Sequence, residues 1–118
     1  MKENLLIALS KGFSVDTINL CKSISQSNSI LLNQLLRSAT SVGANIHEAN
    51  YASSRADFIS KFQIALKECY ESEYWLDIFK ESNIITDVQY SDMHEKCCKI
   101  RRLLITSINT AKKKRDSE

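Results

Sequence analysis

The chain has 118 residues, a formal net charge of +2, 43% hydrophobic and 25% charged residues, no proline and two glycines. That length suffices for one domain burying roughly two thirds of its unfolded surface without staples, and so few turn residues exclude the punctuation of turn-rich β folds. No apolar run reaches the ~20 residues that span a bilayer, and "MKENLLIALSKGF" has too short an apolar stretch and no small-residue cleavage site, so a cytoplasmic protein with no membrane partner is expected.

The first segment, about 3–24, places Leu6, Leu9, Phe13, Leu20 and Ile24 near one helical face, with Thr17 in the remaining position. "SQSNS", Ser25 to Ser29, is a polar break rich in capping residues. The second segment, about 30–49, repeats Leu32, Leu35, Ala39, Val42, Ile46 and Ala49 at alternating spacings of three and four. Ser54 followed by Asp57 has the form of a capping box. It opens a third segment, about 55–81, with Phe58, Phe62, Ala65, Cys69, Ser72, Leu76 and Phe79 on one stripe. Thr86 and Gln89 repeat the cap relation before a fourth segment, about 87–113, carrying Met93, Cys97, Ile100, Leu104, Ile108 and Ala111. Long seven-residue apolar repeats with short connections predict an all-α fold, an antiparallel up-and-down four-helix bundle forming a single domain over 1–118. The four cysteines, Cys21, Cys69, Cys97 and Cys98, show no disulfide framework spacing and are read as reduced thiols.

The second segment has little solvating charge. From Ser27 to Ala52 only Arg37 and Glu48 are charged among 26 residues, against six or seven for the chain average. Opposite its core stripe lie Gln34, Arg37, Ser41, Asn45 and Glu48. Small residues, among them Gly43 and Ala44, let another backbone approach, so this helix is expected to be buried on both sides. The third segment carries a second stripe of Ile64, Trp75 and Ile78, and aromatic anchors are enriched at interfaces. A homo-oligomer whose interface includes Gly43, Ala44, Ile64, Trp75 and Ile78 follows. Buried polar groups need partners, so Arg37, Ser41, Asn45, Glu48, Glu71 and Glu73 are expected to form a structural polar network, with Glu71 and Glu73 as acceptors for Arg37.

"LLRSATSVGANIHEA" followed by "FISKFQIALKECYESEYWL" resembles the four-helix-bundle family founded on proteins encoded in intervening sequences of bacterial 23S ribosomal RNA. Arg37, Ser41, Asn45, Ile46 and Glu48 match its first block, and Phe58, Ala65, Glu71 and Glu73 its second. Gly43 stands where that family usually has proline, and Ala49 where glycine is common. The resemblance covers about 31–79 well and the outer helices by length and pattern. It implies an up-and-down bundle assembling as a ring-like homopentamer. The chain is also similar to the accessory variability determinants of diversity-generating retroelements, which associate with nucleic acid and a reverse transcriptase.

Charge is unevenly spread. Residues 83–118 hold eight Lys/Arg against five Asp/Glu, and residues 53–82 hold four against six. Lys99, Arg102 and Lys113 share the outer side of the fourth helix, and a basic tail, 112–118, contains Lys112, Lys113, Lys114 and Arg115. These six residues are the candidates for phosphate contact with RNA or DNA. Catalytic motifs are missing: His47–Glu48 and His94–Glu95 are each one histidine short of a metalloprotease helix, and there is no phosphate-cradling loop. His94, Cys97 and Cys98 fall at i, i+3 and i+4, but Cys97 belongs to the core stripe. No metal, cofactor or catalytic residue is assigned. The expected function is a non-catalytic, nucleic-acid-associated oligomer, with a protein scaffold docking a reverse transcriptase or other enzyme as the alternative.

Overall fold

The computed structural model describes residues 2–117, with side chains from Leu5 onward. Four helices make up the fold: α1 (Lys2–Lys22), α2 (Ser29–Ala49), α3 (Arg55–Glu81) and α4 (Asp87–Asp116). A single 3₁₀ turn, Gln26–Asn28, joins α1 to α2. Each helix packs on the next and α1 closes against α4, while the diagonal pairs stay apart. Residues 37 and 48 of α2 reach residues 68–71 and 61 of α3, so the neighbours run antiparallel. The result is an all-α, up-and-down bundle of 52 × 21 × 20 Å. Among the described residues, no helix is long and apolar enough to cross a membrane.

The helix ends follow local chemistry. The Ser54 side chain accepts from the Asp57 amide, while Asp57 Oδ2 accepts from Ser53 rather than from the cap residue itself. Thr86 and Gln89 form the full reciprocal capping box. α3 stops at a left-handed Asn83 (φ 60°), where asparagine is among the tolerated residues. The amide of Ile84 bonds to the Phe79 carbonyl and that of Asn83 to Lys80, a Schellman closure. α1 ends at Lys22, two residues before the expected limit, because the Ser23 and Ile24 amides turn back onto Leu20 and Cys21. α4 extends three residues past the expected 113, so the basic run is helical.

The core holds Leu6, Phe13, Leu20, Leu35, Val42, Ile46, Phe62, Leu76, Phe79, Ile100 and Leu104, each buried. The stripes of α2 and α4 are buried throughout, but α3 departs at its start: Ile59 is buried and Phe58 only partly. Phe58 instead lies tilted across Phe62, with ring centroids 4.3 Å apart. The polar residues in the core are short, and all but Ser107 are satisfied locally. Thr17 Oγ1 donates to the Phe13 carbonyl at 2.7 Å. Ser72 Oγ donates to Ser38 Oγ at 2.9 Å, and Ser38 in turn to the Leu35 carbonyl at 3.2 Å. Small hydroxyls thus line the α2–α3 contact, the broadest in the bundle.

Within the single chain, the side of α2 opposite its core stripe is left partly open. Arg37, Ala44 and Glu48 are exposed, and Ser41 and Asn45 are half-buried. Gly43 faces α1 of the same chain. A Cβ there would stand 3.2 Å from Ser14 Oγ and 3.3 Å from the Ser10 carbonyl oxygen. The sparse charge on α2 therefore reflects, in part, close packing of α1.

Candidate functional site

Two polar groupings lie on the α2–α3 and α3–α4 seams, and the basic candidates lie along α4. On the α2–α3 seam, Arg37 grips Glu68 through Nη1 at 3.0 Å and Glu71 through Nη2. Trp75 Nε1 donates to the same Glu71 carboxylate at 3.1 Å, holding the indole along the seam. The Arg37 contact lowers the Glu71 carboxyl and raises the guanidinium. The expected six-residue network is divided. Glu71 accepts from Arg37 as anticipated, Glu68 joins it, and Glu73 does not. Asn45 Nδ2 bonds to the Ser41 carbonyl at 2.9 Å and to its hydroxyl at 3.2 Å, a contact confined to one turn. Glu48 meets Lys61 at 3.9 Å.

The Arg37 side chain is 52% exposed, and pairs held in that much solvent contribute little. Arg37→Ala is therefore expected to lower stability by about 0.5–1 kcal/mol and the melting temperature by roughly 2–5 °C. Thermal melting followed by circular dichroism checks this; a fall beyond ~10 °C would mean the pair acts as a buried network.

On the α3–α4 seam, Glu73 is turned away from α2. Its Oε2 accepts from Arg101 Nε at 2.9 Å, and its Oε1 lies 3.6 Å from His94 Nε2. Cys98 Sγ joins them, 3.5 Å from Glu73 Oε1 and 3.2 Å from Arg101 Nη2. Burial raises the Cys98 thiol, opposed by Arg101. Cys97 points instead into the core, where its contact with the Cys69 carbonyl and its burial push its thiol up. Cys97 thus lies in the core, as its stripe position indicated, and Glu73 stands with His94 and Cys98. Neighbouring Tyr90 donates to Asp77 Oδ1 at 2.6 Å, which pushes its phenol up to about 12.

The basic candidates lie along α4. Lys99, Arg102, Lys113, Lys114 and Arg115 are exposed and Lys112 is half-buried. Among the described residues, Arg115 pairs with Asp116, and the other five have no acidic partner. Lys114 also borders a groove with Ser54, Arg55 and Phe58 at the start of α3, and with Ser107. Ser107 Oγ is buried there without a hydrogen-bond partner among the described residues. Of the interface candidates, Ala44 and Ile64 are exposed, whereas Trp75 and Ile78 are half-buried against the bundle's own core.

A four-helix bundle whose polar chemistry is spread over its seams defines the class. The chain belongs to the 23S rRNA-intervening sequence protein family, matching it over residues 2–106. It is also 43% identical to a protein of unknown function from the S23 ribosomal protein family of Bacteroides thetaiotaomicron VPI-5482, known from a crystal structure. The two superpose with a TM-score of 0.88, covering 92% of this chain and 99% of that one. No curated protein matches the chain.

Proposed function

We propose that this chain is a non-catalytic, self-associating helical bundle that holds RNA through phosphate contacts on the outer side of α4. The observation that carries the reading is the row of exposed α4 cations with no acidic partner among the described residues, Lys99, Arg102, Lys113 and Lys114, with the half-buried Lys112 beside them. From Lys99 to Lys113 the row extends ~21 Å at 1.5 Å per residue, long enough to meet several phosphates of one strand. Phosphate contact of this kind is sequence-independent and weakens with salt. Membership of a family named for ribosomal RNA intervening sequences favours RNA over other polyanions.

Self-association is supported by the apolar and aromatic surface of α3, where Ile64, Tyr70 and Tyr74 are 41%, 51% and 56% exposed. The family resemblance implies five copies. A ring would multiply a weak basic face through repeated contacts. Solution mass and retention of RNA and DNA at several salt concentrations test both parts together. The expected result is a particle several times 13.4 kDa that retains RNA at low salt. A monomer overturns the assembly. An oligomer with no retention at low salt overturns RNA binding and favours a protein-docking scaffold.

A further inference from the structure

Glu73 from α3 and His94 and Cys98 from α4 bring a carboxylate, an imidazole and a thiol to one point on the seam, with all three ligand atoms within 4.8 Å of one another. Glu73 Oε1 is 3.5 Å from Cys98 Sγ and 3.6 Å from His94 Nε2, and Sγ is 3.6 and 3.7 Å from the two ring nitrogens. Metal bonds of ~2.0–2.3 Å at tetrahedral angles set oxygen, nitrogen and sulfur ligands about 3.4–3.6 Å apart. The three separations match one face of such a tetrahedron, and because Sγ stands nearly equidistant from both ring nitrogens, over the imidazole face, loading turns the His94 ring to aim one nitrogen at the ion.

We propose that Glu73, His94 and Cys98 bind one Zn²⁺-class divalent ion, with water in the fourth position.

The surroundings orient Glu73 and keep His94 and Cys98 beside it. Arg101 Nε fixes Glu73 Oε2, leaving Oε1 turned toward the other two ligands, and such outer contacts orient metal ligands. The Tyr90 ring stacks on His94 at 5.0 Å, and its hydroxyl is tied to Asp77. His94 and Cys98 are four residues apart, on one face of a rigid helix. The ligand set selects the metal: thiolate with imidazole suits zinc, whereas magnesium and calcium take oxygen ligands. Loading releases the thiol proton to solvent. The ionised thiol and Glu73 then supply two negative charges against one positive charge from Arg101, so the protein groups around the ion carry a net charge of −1 that offsets part of its charge. His94 is the most open of the three, with 35% of its side chain exposed against 16% for Glu73. That side admits the ion and the water.

The test is titration of the reduced, chelator-treated full chain with Co²⁺, followed by displacement with Zn²⁺. The expected result is a thiolate-to-cobalt charge-transfer band saturating at one ion per chain and abolished by excess Zn²⁺. Cys98→Ser is expected to remove the band, and Glu73→Gln and His94→Gln to weaken Co²⁺ binding at least tenfold. Cys21→Ser, outside the cluster, is expected to keep it. Absence of a band in the unaltered chain overturns the proposal, as does a band that survives in Cys98→Ser. The first of these readouts does not depend on any variant folding.

Discussion

Phe62→Ala is expected to cost about 3–5 kcal/mol of stability, the usual range for removing a buried phenyl group from a core. Phe62 is 1% exposed and lies within the stripe that α3 turns toward the other helices. Its removal leaves a cavity that rigid, interlocked helices close only in part. At roughly 4–6 °C per kcal/mol for a domain of this size, the melting temperature falls by about 12–30 °C. Phe58→Ala provides the comparison. That ring is only partly buried and leans on Phe62 from the end of the bundle, so its loss should cost no more than about half as much. Melting of both variants by circular dichroism checks the difference. Equal losses would contradict the inward placement of Ile59 and the outward shift of Phe58.

Joint replacement of Lys99, Arg102, Lys113 and Lys114 by Gln is expected to remove the salt-dependent part of RNA retention. Four phosphate contacts on a single strand give a log–log salt slope of about −2.8, so raising salt from 50 to 200 mM weakens the unaltered protein's binding roughly 50-fold. In the variant the slope falls toward zero. All four side chains are exposed, and surface changes of this kind usually alter stability by no more than about 0.5 kcal/mol each. Retention measured as a function of salt, beside a melting curve, separates lost contact from lost fold. An unchanged slope would place the phosphate contacts elsewhere.

The fold was legible because seven-residue spacing alone determines which side chains of a long helix share a face. Phe58 shows the limit of that rule, since at the first turn of α3 the neighbouring helix ends leave room for either Phe58 or Ile59 to turn inward. Glu71 and Glu73 show another. Two residues on a helix differ by about 200°, enough to send Glu71 to α2 and Glu73 to α4. Both were treated as partners for Arg37 because no pattern in one helix says which neighbour stands on which side. Gly43 shows the same limit: a small residue signals close approach but not by which helix, and within the chain that helix is α1. Cys98 was grouped only with His94 and Cys97, a trio drawn from α4 alone. Its partner Glu73 lies 25 residues earlier, a separation that becomes proximity only when α3 and α4 are laid side by side.

The basic run Lys112–Arg115 belongs to the closing turns of α4, and this alters the thermodynamics of any encounter with a polyanion. Fixing a residue's backbone costs about 1–2 kcal/mol in conformational entropy, and here the backbone of that run is already fixed when the bundle folds. Its cations also stand where the helix exposes carbonyl groups, a position that favours positive charge. A strand arriving at α4 therefore meets charges at a preset spacing, and the backbone order of that surface does not have to be created at the moment of contact.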